Sequence, residues 1–142
     1  MNSRKVATIM LYDQDNKVLL QHRSKDAKRF PDYWGAFGGG IEEGETHEDG
    51  LHRELLEEIE YNVKHPVLLS VDKWLQDGVE MTGYSYAEQY DPTQKITQHE
   101  GQGYGWFTIP EALQLKMIEQ RKTAILKLKE YLDKTSTSNI AK

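Results

Sequence analysis

Two rhythms of apolar residues run along the chain. Period-two runs rich in Val, Ile, Leu, Tyr and Trp occupy residues 6–12, 18–22, 67–75, 79–90 and 105–109, the alternation of half-buried β-strands. The polar link 13–17 joins the first two as an antiparallel hairpin, and Gln76-Asp77-Gly78 joins the third and fourth as a second, clearer one. Same-face spacing puts Tyr84, Tyr86 and Tyr90 on one side of the fourth strand. Around residue 50 the rhythm changes, with Leu51, Leu55 and Ile59 recurring at i, i+4 and i+8 as on the buried arc of a helix. Thr46, with Asp49 three residues on, gives that helix a capping-box-like start directly after the turn Gly38-Gly39-Gly40. Pro110 opens a further helical stretch over 110–115, and 117–131 follows with the stripe Ile118, Ile125, Leu128 and Leu132. Segments 24–32 and 91–105 read as loops, and 134–142 as a loosely held polar tail.

Strands before and after one central helix, closed by a C-terminal helix, predict an α/β/α sandwich around a mixed sheet. A length of 142 residues, 37% of them hydrophobic, suits one domain with one proper core, placed at 1–133. The absence of Cys removes disulfides, thiolate metal sites and a Cys nucleophile, and fits a reducing cytoplasm. No run approaches the ~18 apolar residues of a membrane span, so no membrane partner is expected. A net charge of −5 argues against generic nucleic-acid binding, which needs clustered Lys and Arg.

That charge is unevenly spread. Residues 42–60 hold eight Glu and one Asp against the single Arg53, a local charge of −8, so the remainder is slightly basic. On a helix, Glu54, Glu57 and Glu58 fall within an arc of roughly 100° beside the apolar one. An acidic helix after a glycine loop is also what a solvated surface helix looks like. Three like charges aimed by packing, however, repel unless a cation offsets them, and oxygen-only ligands favour hard ions such as Mg²⁺ or Mn²⁺.

The spacing narrows the choice. Gly39, five residues, Glu45, seven residues, then Arg53-Glu54-Leu55-Leu56-Glu57-Glu58 resembles the signature of the Nudix hydrolases, MutT-like proteins. The segment 19–39 is similar too, with a strand ending near Arg23, a loop, and Trp34 ahead of the glycines. Three positions depart: Phe37 stands where Pro is common, Glu60 where Gly is usual, and Tyr61 where an aliphatic residue is usual. The resemblance implies the Nudix α/β/α fold and a divalent-metal-dependent hydrolase. Glu54, Glu57 and Glu58 would hold the ions with the Gly38 carbonyl and Glu100, the only Glu of the loop 91–105. Glu54, or a loop carboxylate, would act as general base, while Arg53 would pair with Glu45 and brace the loop against the helix.

The expected reaction is attack of water on a pyrophosphate phosphorus in a nucleoside triphosphate or a nucleotide sugar, the motif leaving the rest of the substrate open. Arg23 is expected to contact phosphate, Gly39 and Gly40 to let it approach the backbone, and Phe37, Tyr84, Trp34 or Tyr86 to stack on a base. The alternative is a nucleotide-binding sensor that keeps the pocket and turns nothing over, for which the Glu60 departure speaks.

Overall fold

The computed structural model describes residues 2–141, with side chains to Thr135. Its elements are β1 (Ser3–Tyr12), β2 (Val18–His22), β3 (Trp34–Gly35), β4 (Phe37–Gly40), α1 (His47–Ile59), β5 (Val67–Gln76), β6 (Val79–Gln89), β7 (Gly103–Phe107), α2 (Ile109–Ala112) and α3 (Glu119–Ala141). One seven-stranded sheet runs β3-β2-β1-β6-β5, with β4 also paired to β1 and β7 to β2. The β1–β6 pair is parallel over ten positions and the others are antiparallel, so the sheet is mixed.

Alternation along β1 buries both faces of the sheet. Ala7, Ile9 and Leu11 meet Leu51, Leu55 and Ile59 of α1, together with Phe37, Tyr61 and Tyr86. Met10, with Val18 and Leu20 of β2, meets Ala124, Ile125, Leu128 and Leu132 of α3 on the other side. Each Val, Leu, Ile, Met or Phe side chain so buried contributes about 1.5–3 kcal/mol. The result is the expected sandwich, and no helix among the described residues is long and apolar enough to cross a membrane.

Several elements differ from the sequence reading. The β1–β2 hairpin forms only at Tyr12↔Val18, because β4 takes the β1 edge from Val6 to Ile9. The glycine run is therefore a strand, where the sequence suggested a turn: glycines carry no periodic signal, yet here they pair with β1. Gly38 is required at φ +134°, where a Cβ would lie 2.1 Å from the Ala7 carbonyl oxygen. The β5–β6 hairpin forms as expected, with Asp77 (φ 51°) and Gly78 (φ 79°) both left-handed, the conformation that two-residue hairpin loops demand. Helix α2 is shorter than expected, held by a capping box between Thr108 and Glu111. Helix α3 runs on through 134–141, where a loose tail was expected. No Gly or Pro interrupts that stretch, and each added residue gains one backbone bond once a helix is nucleated.

Helix α1 ends on Glu60 at φ 56°, ψ 35°. Glu60 N–H donates to the Leu56 carbonyl, the bond of a left-handed helix cap in which glycine is the unstrained residue, and Tyr61 N–H donates to the Leu55 carbonyl. The departure at Glu60 thus leaves the helix end intact at a cost of about 1 kcal/mol. Part of that cost is offset by the contact of the Glu60 carboxylate with the His99 ring, both about half exposed. Glu60→Gly is expected to raise the melting temperature by about 2–4 °C, since an exposed pair contributes at most about 1 kcal/mol. A lower melting temperature would show that the pair outweighs the strain.

Candidate active site

Helix α1 begins at Thr46, whose Oγ1 accepts the Asp49 N–H at 3.1 Å. Just ahead, the Glu45 carboxylate turns back to accept the Glu42 N–H at 2.8 Å. It also accepts a two-pronged bond from Arg53, Nε to Oε2 at 2.8 Å and Nη2 to Oε1 at 3.0 Å. Gly50, costly within a helix, leaves the room: a Cβ there would stand 3.3 Å from Glu45 Oε1 and from Ile41 Cγ1. Arg53 Nη2 also donates to the Gly40 carbonyl at 3.0 Å and Nη1 to Glu54 Oε1 at 3.1 Å. One guanidinium therefore ties the loop, β4 and α1 together, and it holds the Glu45 carboxyl down at about 2.

Behind Arg53 the acids lose their counter-charge. Glu58 is only 3% exposed, and its Oε1 accepts the Gly38 N–H at 2.9 Å. Burial, opposed by that N–H and reinforced by Glu54 and Glu100, pushes its carboxyl up to about 9. Glu54 lies against Gly39, where a Cβ would come within 2.7 Å of its carboxyl carbon. Burial raises the Glu54 carboxyl as well, Arg53 opposing and Glu57 and Glu100 adding to the effect. Glu100 arrives from the loop after β6, which is fastened to the end of α1 by Thr97 N–H on the Ile59 carbonyl and His99 N–H on the Glu58 carbonyl. Glu54, Glu58 and Glu100 thus act on one another around the Gly38 backbone.

Glu57 stands apart, with its side chain 57% exposed and its carboxylate turned to Arg53 at 3.4 Å. Among the described residues no three His, Cys, Asp or Glu side chains are gathered into a metal cage. The donor set nevertheless fits a hard divalent ion, being all oxygen, with a nearly water-free carboxylate that accepts from one backbone N–H.

On the other side of β4, Arg23, Gly39 and Gly40 line a cavity with Trp34. Three of the expected base-stacking residues are placed elsewhere. Phe37 is 1% exposed inside the core beneath α1, since the β-strand alternation that frees Gly38 turns Phe37 inward. Tyr84 stacks on His47 at 4.2 Å on the α1 face, and Tyr86 is buried there with its hydroxyl on His47. None of these three rings lines that cavity. Arg4, Gln76 and Arg121 of this cavity escaped the sequence reading. Arg121 left a trace, as a charged residue four positions before Ile125 on the apolar stripe of α3.

The family model described as the NUDIX domain matches residues 1–128. The oxidized purine nucleoside triphosphate hydrolase of Mus musculus is 45% identical over 60 residues, 41% of this chain and 36% of that protein. The nucleoside triphosphatase NudI of Escherichia fergusonii is 36% identical over 76 residues, 53% of this chain and 52% of that protein. The chain thus spans about half or less of the length of these curated relatives. In structure it is similar to a MutT protein from Methanosarcina mazei Go1, with TM-score 0.79 at 14% identity, covering 92% of this chain and 95% of that one. It is also similar to the NUDIX domain of Shewanella oneidensis NrtR complexed with ADP ribose, with TM-score 0.74 at 22% identity, covering 93% and 90%. At these identities the likeness is one of fold.

With Glu58 protonated in the folded chain and ionised in the unfolded one, stability without divalent ions is expected to fall as pH rises from 4.5 to about 9. The slope reaches at most about 1.4 kcal/mol per pH unit. Denaturant titrations in chelator should show this slope in the wild type and a flatter one in Glu58→Gln. Equal slopes would remove the buried acid from the account.

Proposed function

The chain belongs to the NUDIX domain family, and we propose on that footing that it is a divalent-metal-dependent hydrolase of nucleoside di- or triphosphate derivatives. Water attacks a phosphorus of the pyrophosphate, the bridging P–O bond breaks, and the water's proton passes to the chain. The observation that carries this reading is the buried Glu58 carboxyl, held to the Gly38 N–H and flanked by Glu54 and Glu100. A pyrophosphate would be repelled from such a site by itself. Mg²⁺ or Mn²⁺, when bound, would neutralise part of that charge and acidify the attacking water.

Glu54, Glu58 and the Gly38 carbonyl would hold the ion, with Glu57 and Glu100 completing the oxygen set. Glu54 is the candidate base, because burial and its acidic neighbours raise its proton affinity. Arg53 and Glu45 act by position, keeping Glu54 and the Gly40 carbonyl where the fold sets them. Arg23, with Gly39 and Gly40 beside it in the cavity, would meet phosphate oxygens. The names of the relatives favour a nucleoside triphosphate, and the ADP ribose in the NrtR domain favours a nucleotide linked to a sugar. The sensor alternative loses its residue-level support, because Glu60 keeps the left-handed cap at the helix end.

A hydrolysis screen with Mg²⁺ over triphosphates, nucleotide sugars, ADP-ribose and dinucleoside polyphosphates tests the reaction: release of nucleoside monophosphate or phosphate means an enzyme, binding without release a sensor. Glu57→Gln and Glu58→Gln are each expected to lower kcat at least about 100-fold, more than the loss of an outer partner costs, with the fold intact by circular dichroism. Wild-type-like turnover in both variants would overturn the site. Arg23→Ala should raise KM at least about threefold, roughly 0.7 kcal/mol of binding; a smaller rise returns Arg23 to plain surface charge.

A further inference from the structure

Every arginine of the chain except Arg53 lines one cavity of about 200 Å³ on the side of β4 away from the acids. Arg4, Arg23, Arg29 and Arg121 meet there, and the residues lining the cavity include no Asp or Glu. Among the described residues the carboxylate ion pairs made by arginine all belong to Arg53. The other guanidiniums rest on neutral groups: Arg121 Nη1 donates to Thr8 Oγ1 at 3.0 Å and Arg23 Nε to the Arg29 carbonyl at 3.0 Å. Arg4 lies over Gly40, where a Cβ would stand 2.9 Å from its Nη2. Burial, together with Arg23, lowers the Arg121 guanidinium to about 10, so it remains charged at neutral pH. Like charges so collected destabilise the empty cavity and favour an anion that bridges them.

The glycine strand separates this cavity from the acids. Gly38 and Gly39 touch Glu58 and Glu54 on one side, and Gly38 to Gly40 line the arginine cavity on the other. A ligand whose pyrophosphate sits at the acids therefore has a second arm within reach of the guanidiniums. A neutral base presents acceptors and donors together, whereas guanidiniums only donate. Their planar fork matches phosphate oxygens two at a time, and the rings of Trp34 and Trp74 supply apolar wall for the group that carries the phosphate.

We propose that this four-arginine cavity receives a phosphomonoester carried on the second arm of the substrate, outside the pyrophosphate. The substrate class is then a nucleoside diphosphate derivative whose linked group bears its own phosphate. This deepens the proposed function and rests on it for the position of the pyrophosphate.

The test is calorimetric binding, in the presence of Mg²⁺, of the methylene-bridged analogues of NADP⁺ and NAD⁺, which differ by one phosphomonoester and whose P–C–P bridge is not hydrolysed, to the full chain. The NADP⁺ analogue is expected to bind at least about tenfold more tightly, the size of one charge-assisted contact. Arg121→Gln and Arg29→Gln are each expected to lower that ratio at least threefold. Arg29 is exposed, so its variant answers even if Arg121→Gln does not fold. A wild-type ratio below about fivefold, or a ratio that neither variant lowers, overturns the proposal. A protein that hydrolyses no pyrophosphate can still pass this test, and one that hydrolyses pyrophosphates without preferring the phosphorylated ligand fails it.

Discussion

The hydrogen bond from Gly38 N–H to Glu58 joins a strand that has no side chains to the one carboxylate of α1 that has almost no water. Both partners are constrained from behind. Gly38 is pressed onto β1 so closely that no other residue fits, and Glu58 is aimed by Leu51, Leu55 and Ile59, which seat α1 on the sheet. A buried acid whose one N–H donor is Gly38 is costly, and its acidic neighbours Glu54 and Glu100 add to that cost. Arg53 is committed to Glu45, Gly40 and Glu54. The fold thus keeps a carboxyl in a setting where ionisation is unfavourable until a positive charge arrives.

The same glycine strand divides the charges of the molecule. Acids gather on the α1 side, and arginines gather without acids on the other. Surface charges of mixed sign ordinarily intersperse and pair. Here an acidic face and a basic cavity lie back to back across β4, and an elongated anion with a metal at one end satisfies both. Unpaired arginines alone would suit any anion, and clustered acids alone any cation. Their separation by a strand with no side chains suits a ligand that spans them.

Much of this was legible in the residues. The i, i+4, i+8 spacing of Leu51, Leu55 and Ile59 set which face of α1 carries Glu54 and Glu58, and Asp77-Gly78 marked the longest hairpin. The Glu45–Arg53 brace followed from the motif and is present. What escaped depends on long-range pairing. Gly38 to Gly40 have no hydrophobic period, so only their β1 partner makes them a strand and turns Phe37 inward. Tyr84 had no predictable neighbour, because His47 reaches it from another element. Arg4 and Arg121 are far apart in the chain and meet only when α3 packs on the face of the sheet that β1 shares through Thr8.

Divalent-ion binding measured by calorimetry at pH 7 in two buffers of different ionisation enthalpy tests the central claim most directly. Because Glu58 is protonated in the ion-free chain, binding of Mg²⁺ or Mn²⁺ should release close to one proton per ion, and Glu58→Gln should lose both the affinity and the release. Ion binding without proton release, or undiminished binding in Glu58→Gln, would contradict it.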